Sequence, residues 1–334
     1  MKAYYVEAYD NNDLSKMIYG DLPTPEIADD QVLVKVAAGS FNPCERQVGA
    51  GEFEHAFATP IPFVFGVDCA GIVEKVGANV DNVKVGDRVI AYLGFAMGGG
   101  SGEYVATKGD WVAPAPKSMS LTDCGCIPLA SLTAWEALFT HGKLEEGQIV
   151  VVNGASGGVG NSIVQLAKWK GATVIGIDHG SVKDNVMSIG ADYFVDYTCQ
   201  KLGDVYDKEV DLIINFSNAP ESQIEEQMAQ LKKGGTVVNG NAAMAQKMLR
   251  KIGGNQERGV TMSDSDSANV NYVIFSVDYD TPSLTKISKV IDEGGLKPLI
   301  TDRIAVKDLK KAHETYLQGK NNGKILVIVD DSLK

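Results

Sequence analysis

The sequence predicts an α/β protein in two parts, a β-rich first part and a parallel, doubly wound sheet. In the first ~120 residues, alternating apolar runs such as "QVLVKVAA" and "GIVEKVG" are separated by turns, which indicates a barrel or sandwich. After Leu121, strand-like runs alternate with helix-like runs. Such alternation implies parallel strands joined by helices that cover the faces of the sheet.

Length, composition and charge restrict the class of protein. The chain has 334 residues, 44% apolar and 22% charged, which fits a globular protein of about two domains. Its net charge of −12 disfavours non-specific binding to nucleic acid or anionic membranes. No apolar run reaches the ~18 residues of a membrane span, and the N-terminus does not read as a secretory signal. We therefore expect a cytoplasmic protein, and five scattered cysteines fit a reducing compartment.

The elements of the second part are predicted in order along the chain. The segment "LTDCGCIPLASLTAWEALF" has helical spacing. We expect strands at Gln148–Asn153, Ala172–Ile177, Tyr193–Val195, Val210–Asn215 and Thr236–Asn239. We expect helices at Val159–Lys170, Lys183–Ile189 and Ser222–Leu231. Past Tyr272, a strand, two helices (Leu284–Glu293 and Lys307–Leu317) and a final strand (Lys324–Val329) either extend the parallel sheet or return to the first part.

A glycine-rich stretch, "VVVNGASGGVG", joins the first of these strands to the first of these helices. With the second strand and the acid at its end, it has the order of a dinucleotide-binding (Rossmann) fingerprint, in which backbone N–H groups approach a pyrophosphate at a helix N-terminus. A tight turn without a ligand is the alternative, and no Gly-Lys-Ser/Thr of a Walker loop follows. The candidate contacts are Gly154, Ala155, Ser156, Gly157, Gly158, Val159 and Gly160.

The acid at the end of the second strand bears on which nucleotide binds. Asp178 stands where a carboxylate would accept bonds from the adenosine ribose hydroxyls, which favours NADH. Ser181 and Lys183 follow and could instead bind the 2′-phosphate of NADPH. A helix cap or a solvated acid is the alternative interpretation of Asp178.

Several motifs together resemble one family. They are "GASGGVG", "AGSFNPCERQVGAG", "FGVDCAGIVEKVG", "VGDRVIAY" and "PLASLTAWEAL". The chain resembles the medium-chain dehydrogenase/reductase superfamily, and most closely its zinc-free quinone oxidoreductase branch. The resemblance implies a discontinuous GroES-like catalytic domain, residues 1–121 and 272–334, and a Rossmann NAD(P)-binding domain, residues 122–271. It also implies a homodimer, and a cleft between the domains that holds nicotinamide and substrate.

The resemblance can be tested for zinc ligands residue by residue. Asn42 stands at the position of the first cysteine of the zinc alcohol dehydrogenases. Val67 and Asp68 stand where their Gly-His-Glu motif would continue after Gly66, and the second cysteine would match near Ala130. Cys44, Cys69 and Asp68 are close in sequence, but Cys69 should face away from Asp68 on a strand. A catalytic zinc needs about three N, S or carboxylate ligands, so we expect no metal.

Without zinc, an activated acceptor is easier to reduce than a simple ketone. The resemblance implies NAD(P)H-dependent hydride transfer to a quinone or an α,β-unsaturated carbonyl, with NADPH the usual cofactor of the branch and Asp178 favouring NADH. The charge that develops on oxygen needs a donor. Asn42, by its match to the branch's Asn-Pro motif, and Tyr104 are the candidate catalytic residues. A turn residue ahead of Pro43 is the alternative for Asn42.

Other cofactor contacts are carried over from the resemblance by motif. Ser217 and Asn218, and then Asn239 and Gly240, follow strands of the predicted sheet at its carboxyl edge. Lys324, in "NNGKILV", matches a family lysine near the cofactor, and a surface charge at the strand start is the alternative. The full set beyond the glycine loop and the Asp178 segment is Thr133, Ser217, Asn218, Asn239, Gly240, Phe275, Ser276 and Lys324.

Three other classes remain as alternatives. A non-catalytic NAD(P)H-binding redox sensor or structural protein would keep the glycine loop, because fold does not imply function. A zinc-type alcohol dehydrogenase is the lesser alternative. A short-chain dehydrogenase needs a catalytic Tyr-x-x-x-Lys, which occurs non-specifically at Tyr104/Lys108, Tyr197/Lys201 and Tyr316/Lys320, and it would leave the β-rich first part unexplained. The sequence does not identify the substrate.

Overall fold

The computed structural model describes residues 1–10, 12–54, 59–95, 97–240, 271–273, 277, 279–318 and 323–333. The strands in this part of the chain are β1 Lys2–Val6, β2 Ile18–Asp21, β3 Gln31–Ser40, β4 Phe63–Val64, β5 Asp68–Val76, β6 Arg88–Tyr92, β7 Tyr104–Lys108, β8 Val112–Pro114, β9 Ile149–Asn153, β10 Thr173–Asp178, β11 Tyr193–Asp196, β12 Val210–Asn215, β13 Leu231–Asn239, β14 Asn271–Val273, β15 Ile300–Ala305 and β16 Lys324–Ile328.

The helices of the described residues are α1 Pro43–Ala50, α2 Pro128–Trp135, α3 Gly158–Trp169, α4 Lys183–Ser188, α5 Leu202–Val205, α6 Glu221–Met228, α7 Thr281–Asp292 and α8 Leu309–Leu317. Three of the five predicted helices are shorter in the structure, α3 has its predicted length, and α7 is longer than predicted. A π-helical segment, Glu136–His141, continues α2. No helix of the described residues is long and apolar enough to cross a membrane.

Contacts divide the chain into two compact units. Unit 1 comprises Met1–Leu132, Tyr279–Gly294 and Pro298–Lys334, and unit 2 comprises Thr133–Asp278 and Gly295–Lys297. Unit 1 is therefore built from both ends of the chain. The unit boundaries lie at 132/133, inside α2, and at 278/279, several residues from the 121/122 and 271/272 positions of the sequence-based boundaries.

Unit 2 contains the parallel sheet that the sequence predicts. Its strand order in the described residues is β11-β10-β9-β12-β13-β14, with every pair parallel. This is the doubly wound order 3-2-1-4-5-6, whose carboxyl edge receives ligands where the order reverses, between β9 and β12. Its core is apolar on both faces of the sheet, as buried parallel strands require; Val151, Ile175 and Ile213 are fully buried in it.

Unit 1 is the β-rich part. Its larger sheet runs β15-β16-β3-β5-β6-β8 with β7 also paired to β3, and a smaller sheet runs β2-β1-β4. The final strand β16 pairs with β3, whereas β14 joins the parallel sheet of unit 2. The segment after residue 270 thus extends the parallel sheet through β14 and returns to the first part of the chain through β16.

Two elements differ from the sequence-based prediction. Helix α1 was not among the predicted elements: Asn42 precedes it, Pro43 occupies its first position, and the Glu45 carboxylate accepts the Asn42 backbone N–H at 3.1 Å. The order Asn-Pro-x-Glu is a helix-start signal that the strand-rich context concealed. The predicted helix 222–231 ends at Met228, because Leu231 pairs with Val210 as the first residue of β13.

A buried histidine makes the stability of unit 1 depend on pH. His313 on α8 is fully buried between Phe41 and Phe65, at 4.8 and 5.3 Å between ring centroids. Neither of its ring nitrogens has a hydrogen-bond partner. Burial, and then the charge of Arg46, lower the pKa of His313 to about 3.

We expect His313→Leu to flatten the acid side of the stability curve. An unfolded histidine has a pKa of about 6.5, so as pH falls below this value the wild type should lose about 1.4 kcal/mol per pH unit more than the variant, until the pH nears 3. Above pH 7 both the folded and the unfolded state hold a neutral His313, so the histidine causes no loss of stability there. Urea unfolding at pH 7.5, 6.5, 5.5 and 4.5 measures it. Parallel curves for the two proteins would contradict the assignment, and His313→Phe is the second variant if the leucine packs poorly.

Candidate cofactor site and polar cluster

The glycine turn joins β9 to α3 at the carboxyl edge of the sheet. Gly154 has a φ of +74°, and its N–H donates to the Ile177 carbonyl of β10 at 2.9 Å. Gly157 precedes α3, and a Cβ built there meets only the Gly154 carbonyl oxygen, at 3.3 Å. A Cβ on Gly160 would overlap that carbonyl. The fold thus requires glycine at position 160, whereas a side chain at position 157 would fit the fold but would fill the open space beside α3.

The first turn of α3 supplies unpaired donors to that space. The N–H groups of Gly158, Val159 and Gly160 belong to the first turn, where a helix has no internal acceptor for them. The helix has 12 residues, and its N-terminus carries a partial positive charge. Backbone donors, partial charge and the open side of Gly157 fit a pyrophosphate.

Asp178 ends β10 and binds the turn. Its Oδ2 accepts the Ser156 N–H at 2.9 Å, and its Oδ1 accepts the His179 N–H at 2.8 Å. Each carboxylate oxygen can still accept a further bond, so a ribose hydroxyl is compatible with both contacts. Sequence reasoning foresaw the position of Asp178 but not its bond to the glycine turn.

A cavity of about 230 Å³ lies beside Asp178 on the carboxyl edge of the sheet. Its lining includes Asn153, Gly154, Ile177, Asp178, Tyr197, Ser217, Asn218, Ala219, Pro220 and Gln223. The structure therefore brings together the glycine turn, Asp178 and the Ser217–Asn218 pair, which the sequence placed separately. Tyr197, half exposed at 51%, was not a predicted contact; its place directly after β11 is the signal that could have found it.

Asparagines from three strands end in register along the same edge. Asn215 of β12 is opposite Asn153 of β9 and Asn239 of β13. Asn215 Nδ2 donates to Asn239 Oδ1 at 3.3 Å, and its Oδ1 accepts the Ser217 hydroxyl at 2.7 Å. Asn239 is fully buried and donates to the Tyr272 hydroxyl at 2.7 Å. These bonds fix the loops after β12 and β13, including Gly240, whose N–H donates to the Asn215 carbonyl.

The remaining expected contacts fall in different places. Ser181 and Lys183 are exposed beyond β10, and the Ser181 hydroxyl bonds the His179 ring at 2.8 Å. Thr133 is buried on α2. Phe275 and Ser276 lie outside the described residues. Lys324 lies in unit 1, where it joins Asn42.

Unit 1 holds a buried polar cluster around Asn42. It consists of Ser40, Asn42, Glu45, Asp68 and Lys324, each at most 5% exposed. Asn42 Nδ2 donates to Asp68 Oδ2 at 2.7 Å, and to the Ser40 carbonyl and Glu45 Oε1 at 3.1 Å each. Asn42 Oδ1 accepts from the Lys324 ammonium at 2.5 Å. The amide plane is therefore held from both sides.

Two carboxyl groups and one ammonium share this cluster. Asp68 Oδ1 accepts the Leu129 N–H at 2.6 Å, and its Oδ2 accepts from the Ser40 hydroxyl and lies 3.5 Å from Lys324 Nζ. Burial raises the pKa of Glu45 to about 7, against bonds from Asn42 and Gly66 that favour its charged form. Sequence reasoning had considered Asp68 only as a possible metal ligand and had not considered Glu45.

Tyr104, the second predicted catalytic residue, does not join the cluster. It pairs with Lys35 across β7 and β3, whereas the cluster begins at Ser40. Five residues of extended strand cover about 16 Å. The two candidate catalytic residues therefore lie at different places along β3.

Known proteins match the chain along most of its length. Residues 28–117 match the alcohol dehydrogenase GroES-like domain, and residues 189–327 match the zinc-binding dehydrogenase family. An NADPH-dependent alkenal/one oxidoreductase of Arabidopsis thaliana, a chloroplastic protein, is 36% identical over 250 residues, which are 71% of this chain and 62% of that protein. A quinone oxidoreductase of Mus musculus is 28% identical and covers 98% of both chains. The chain belongs to the medium-chain dehydrogenase/reductase superfamily.

A solved structure shows the same fold for this dehydrogenase/reductase. The quinone oxidoreductase of Coxiella burnetii superposes with a TM-score of 0.84, at 24% identity, over 98% of this chain and 99% of that one. The predicted fold class, a GroES-like domain with a Rossmann domain, is confirmed. The named relatives also agree with the predicted quinone oxidoreductase branch.

The polar cluster of this dehydrogenase/reductase does not have the donor set of a zinc site. Zinc takes cysteine, histidine and carboxylate ligands, but here both oxygens of Asp68 already accept from protein donors, one of them an ammonium. Cys69 lies on β5 and packs into the apolar core of the larger sheet, and burial raises the pKa of its thiol to about 12. Burial also raises the pKa of Cys44. No three His, Cys, Asp or Glu residues of the described chain are placed to hold a metal.

Proposed function

We propose that the protein is a zinc-independent, NAD(P)H-dependent oxidoreductase that transfers a hydride to a quinone or an α,β-unsaturated carbonyl. The observation that carries the proposal is the Asn42–Asp68–Lys324 network, in which Asn42 and Asp68 occupy positions that correspond to zinc ligands in the zinc alcohol dehydrogenases. The relatives reported above are named as oxidoreductases of alkenals or alkenones and of quinones. These acceptors are activated, so their reduction does not depend on a metal that polarises a carbonyl.

Residues of unit 2 would hold the nucleotide. The first turn of α3 would take the pyrophosphate, the cavity beside Asp178 would take the adenosine, and Asp178 would accept from the ribose hydroxyls. When bound, the nicotinamide supplies the hydride. Ser217 and Asn218 line the cavity beside Asp178 and would contact the nucleotide there. Asn239 and Gly240 follow β13, on the other side of the switch point, where the nicotinamide half is expected.

We keep Asn42 as the proposed donor to the developing oxyanion. Lys324 binds the amide oxygen, which fixes the amide and polarises its N–H bonds towards an acceptor. The two hydrogens of the Asn42 amide are shared among three acceptors within the protein. A substrate oxygen must therefore replace one of these acceptors. Tyr104, Thr133 and Lys324 stay predicted contacts of substrate or cofactor.

Location and assembly are part of the proposal. All five cysteines are free, and three of them are buried, which suits a reducing compartment such as the cytoplasm. The family resemblance supports a homodimer.

Acceptor-dependent oxidation of the cofactor tests the function. We expect purified protein to oxidise NADH or NADPH when 1,4-benzoquinone or an enone is added, and to keep this activity after dialysis against a chelator. If the protein binds NADH or NADPH but neither acceptor causes oxidation of the cofactor, the non-catalytic redox sensor is favoured. Stoichiometric zinc by elemental analysis, with activity lost to the chelator, would overturn the metal-free assignment.

A further inference from the structure

The turn that follows Asp178 has its backbone donors occupied by the protein itself. The His179 N–H donates to Asp178 Oδ1 at 2.8 Å, the Ser181 N–H to the ring Nδ1 of His179 at 3.1 Å, and the Val182 N–H to the His179 carbonyl at 3.0 Å. The Ser181 hydroxyl also bonds His179 Nδ1, at 2.8 Å. A turn of this kind binds phosphate through free N–H and hydroxyl groups, and here these groups have protein partners.

The remaining residue of the turn, Gly180, lies beside a second carboxylate, that of Asp196. Asp196 ends β11 in register with Asp178, and its Oδ2 lies so close to Gly180 that a Cβ there would overlap it. Bonds from the Thr198 side chain first, and then from the backbone of Thr198 and Gly180, lower the pKa of Asp196. The turn therefore contacts two carboxylates, those of Asp178 and Asp196.

We propose that this occupied turn makes the site select the dinucleotide without a 2′-phosphate, with His179 and Asp196 as specificity-determining residues beside Asp178. The inference rests on the proposed function, because it assumes that Asp178 marks the adenosine ribose. A 2′-phosphate would project towards the turn, where it would meet two carboxylates of like charge and no free backbone donor. Lys183 is the cation on this segment, and it is exposed at the start of α4, a helix of only six residues.

Calorimetric titration with NADH and with NADPH, without any acceptor, tests the proposal. We expect the Kd of NADPH to exceed that of NADH by at least about tenfold, the effect of one like charge at partly screened short range. Asp196→Asn removes one charge and keeps an acceptor for the Gly180 N–H, so it should lower the NADPH/NADH ratio of Kd about threefold to tenfold. His179→Ala frees the Ser181 N–H and hydroxyl and should lower the ratio by a similar factor.

Two matched variants separate this effect from general damage. Asp207→Asn makes the same charge change ahead of β12, at the opposite edge of the parallel sheet, and should leave the ratio unchanged. His179→Asn restores a side-chain acceptor for the Ser181 N–H, so its ratio should stay near that of the wild type. An Asp196→Asn ratio equal to that of Asp207→Asn would contradict the role of Asp196.

The binding experiment also separates this inference from the function. Equal or tighter binding of NADPH to the wild type would overturn the inference and leave hydride transfer intact. NADH-selective binding without acceptor reduction would support the inference and overturn the function. Absence of binding by both nucleotides would overturn both.

Discussion

Replacing Lys324 with methionine should destabilise the protein by about 3–5 kcal/mol, the usual cost of leaving a buried charge without its partner. Lys324 is only 5% exposed, and its ammonium is the cation beside the fully buried Asp68. The change also removes the donor to Asn42 Oδ1. The free energy of unfolding, from urea titration followed by circular dichroism, measures the loss.

A surface pair provides the control for this variant. Lys311 and Asp308 lie 2.8 Å apart, but the lysine side chain is 69% exposed, so Lys311→Met should cost less than about 1 kcal/mol. The double variant Lys324→Met/Asp68→Asn removes both members of the buried pair and leaves Glu45 as the remaining carboxyl of the cluster, so it should be more stable than Lys324→Met alone. If Lys324→Met lowers the free energy of unfolding no more than Lys311→Met does, the Lys324 ammonium does not compensate the buried charge of Asp68.

Gly157→Ala should weaken nucleotide binding by about fivefold to 150-fold and leave the fold intact. The φ of Gly157 is −66°, which alanine adopts freely, and the added methyl meets only one atom, 3.3 Å away. That methyl would occupy the space through which a pyrophosphate approaches α3, and overpacking of this kind costs about 1–3 kcal/mol. Titration with NADH gives the Kd, and thermal unfolding without ligand gives the stability.

Two other glycines show whether the effect belongs to the turn. Gly160→Ala would overlap the Gly154 carbonyl, so we expect loss of stability as well as of binding. Gly203→Ala, on α5, makes only an ordinary contact with Gln230 at 3.4 Å and should match the wild type in both measurements. A wild-type Kd for Gly157→Ala would show that no phosphate lies against this residue.

The nucleotide half of the molecule could be predicted because its signals are local. The predicted strand Gln148–Asn153 contains four consecutive apolar residues, Ile149–Val152, as a buried parallel strand requires, and Gly154–Gly160 follows it directly. These patterns gave the turn, α3 and the end of β10 at Asp178 to within one residue. Side-chain partners of the same segment, such as Ser156 for Asp178, depend on the three-dimensional turn and could not be predicted.

The polar cluster could not be predicted because its members are distant in sequence. Lys324 and Asn42 are 282 residues apart, and Asp68 comes from a third strand. Each residue alone has an ordinary explanation as a turn, strand-end or surface residue. Only the pairing of β16 with β3 brings the ammonium beside the amide, and the periodicity of either strand carries no information on that pairing.

The same pairing bears on the order in which the chain can fold during synthesis. Unit 2 is almost continuous in sequence, and its strands are all made before β16. Unit 1 must wait for β16, and until then β3 presents an open edge at Ala38–Ser40. Such an edge can pair with other chains. We therefore expect the chain to be most prone to aggregate in the interval after β3 has entered its sheet and before β16 has paired with it.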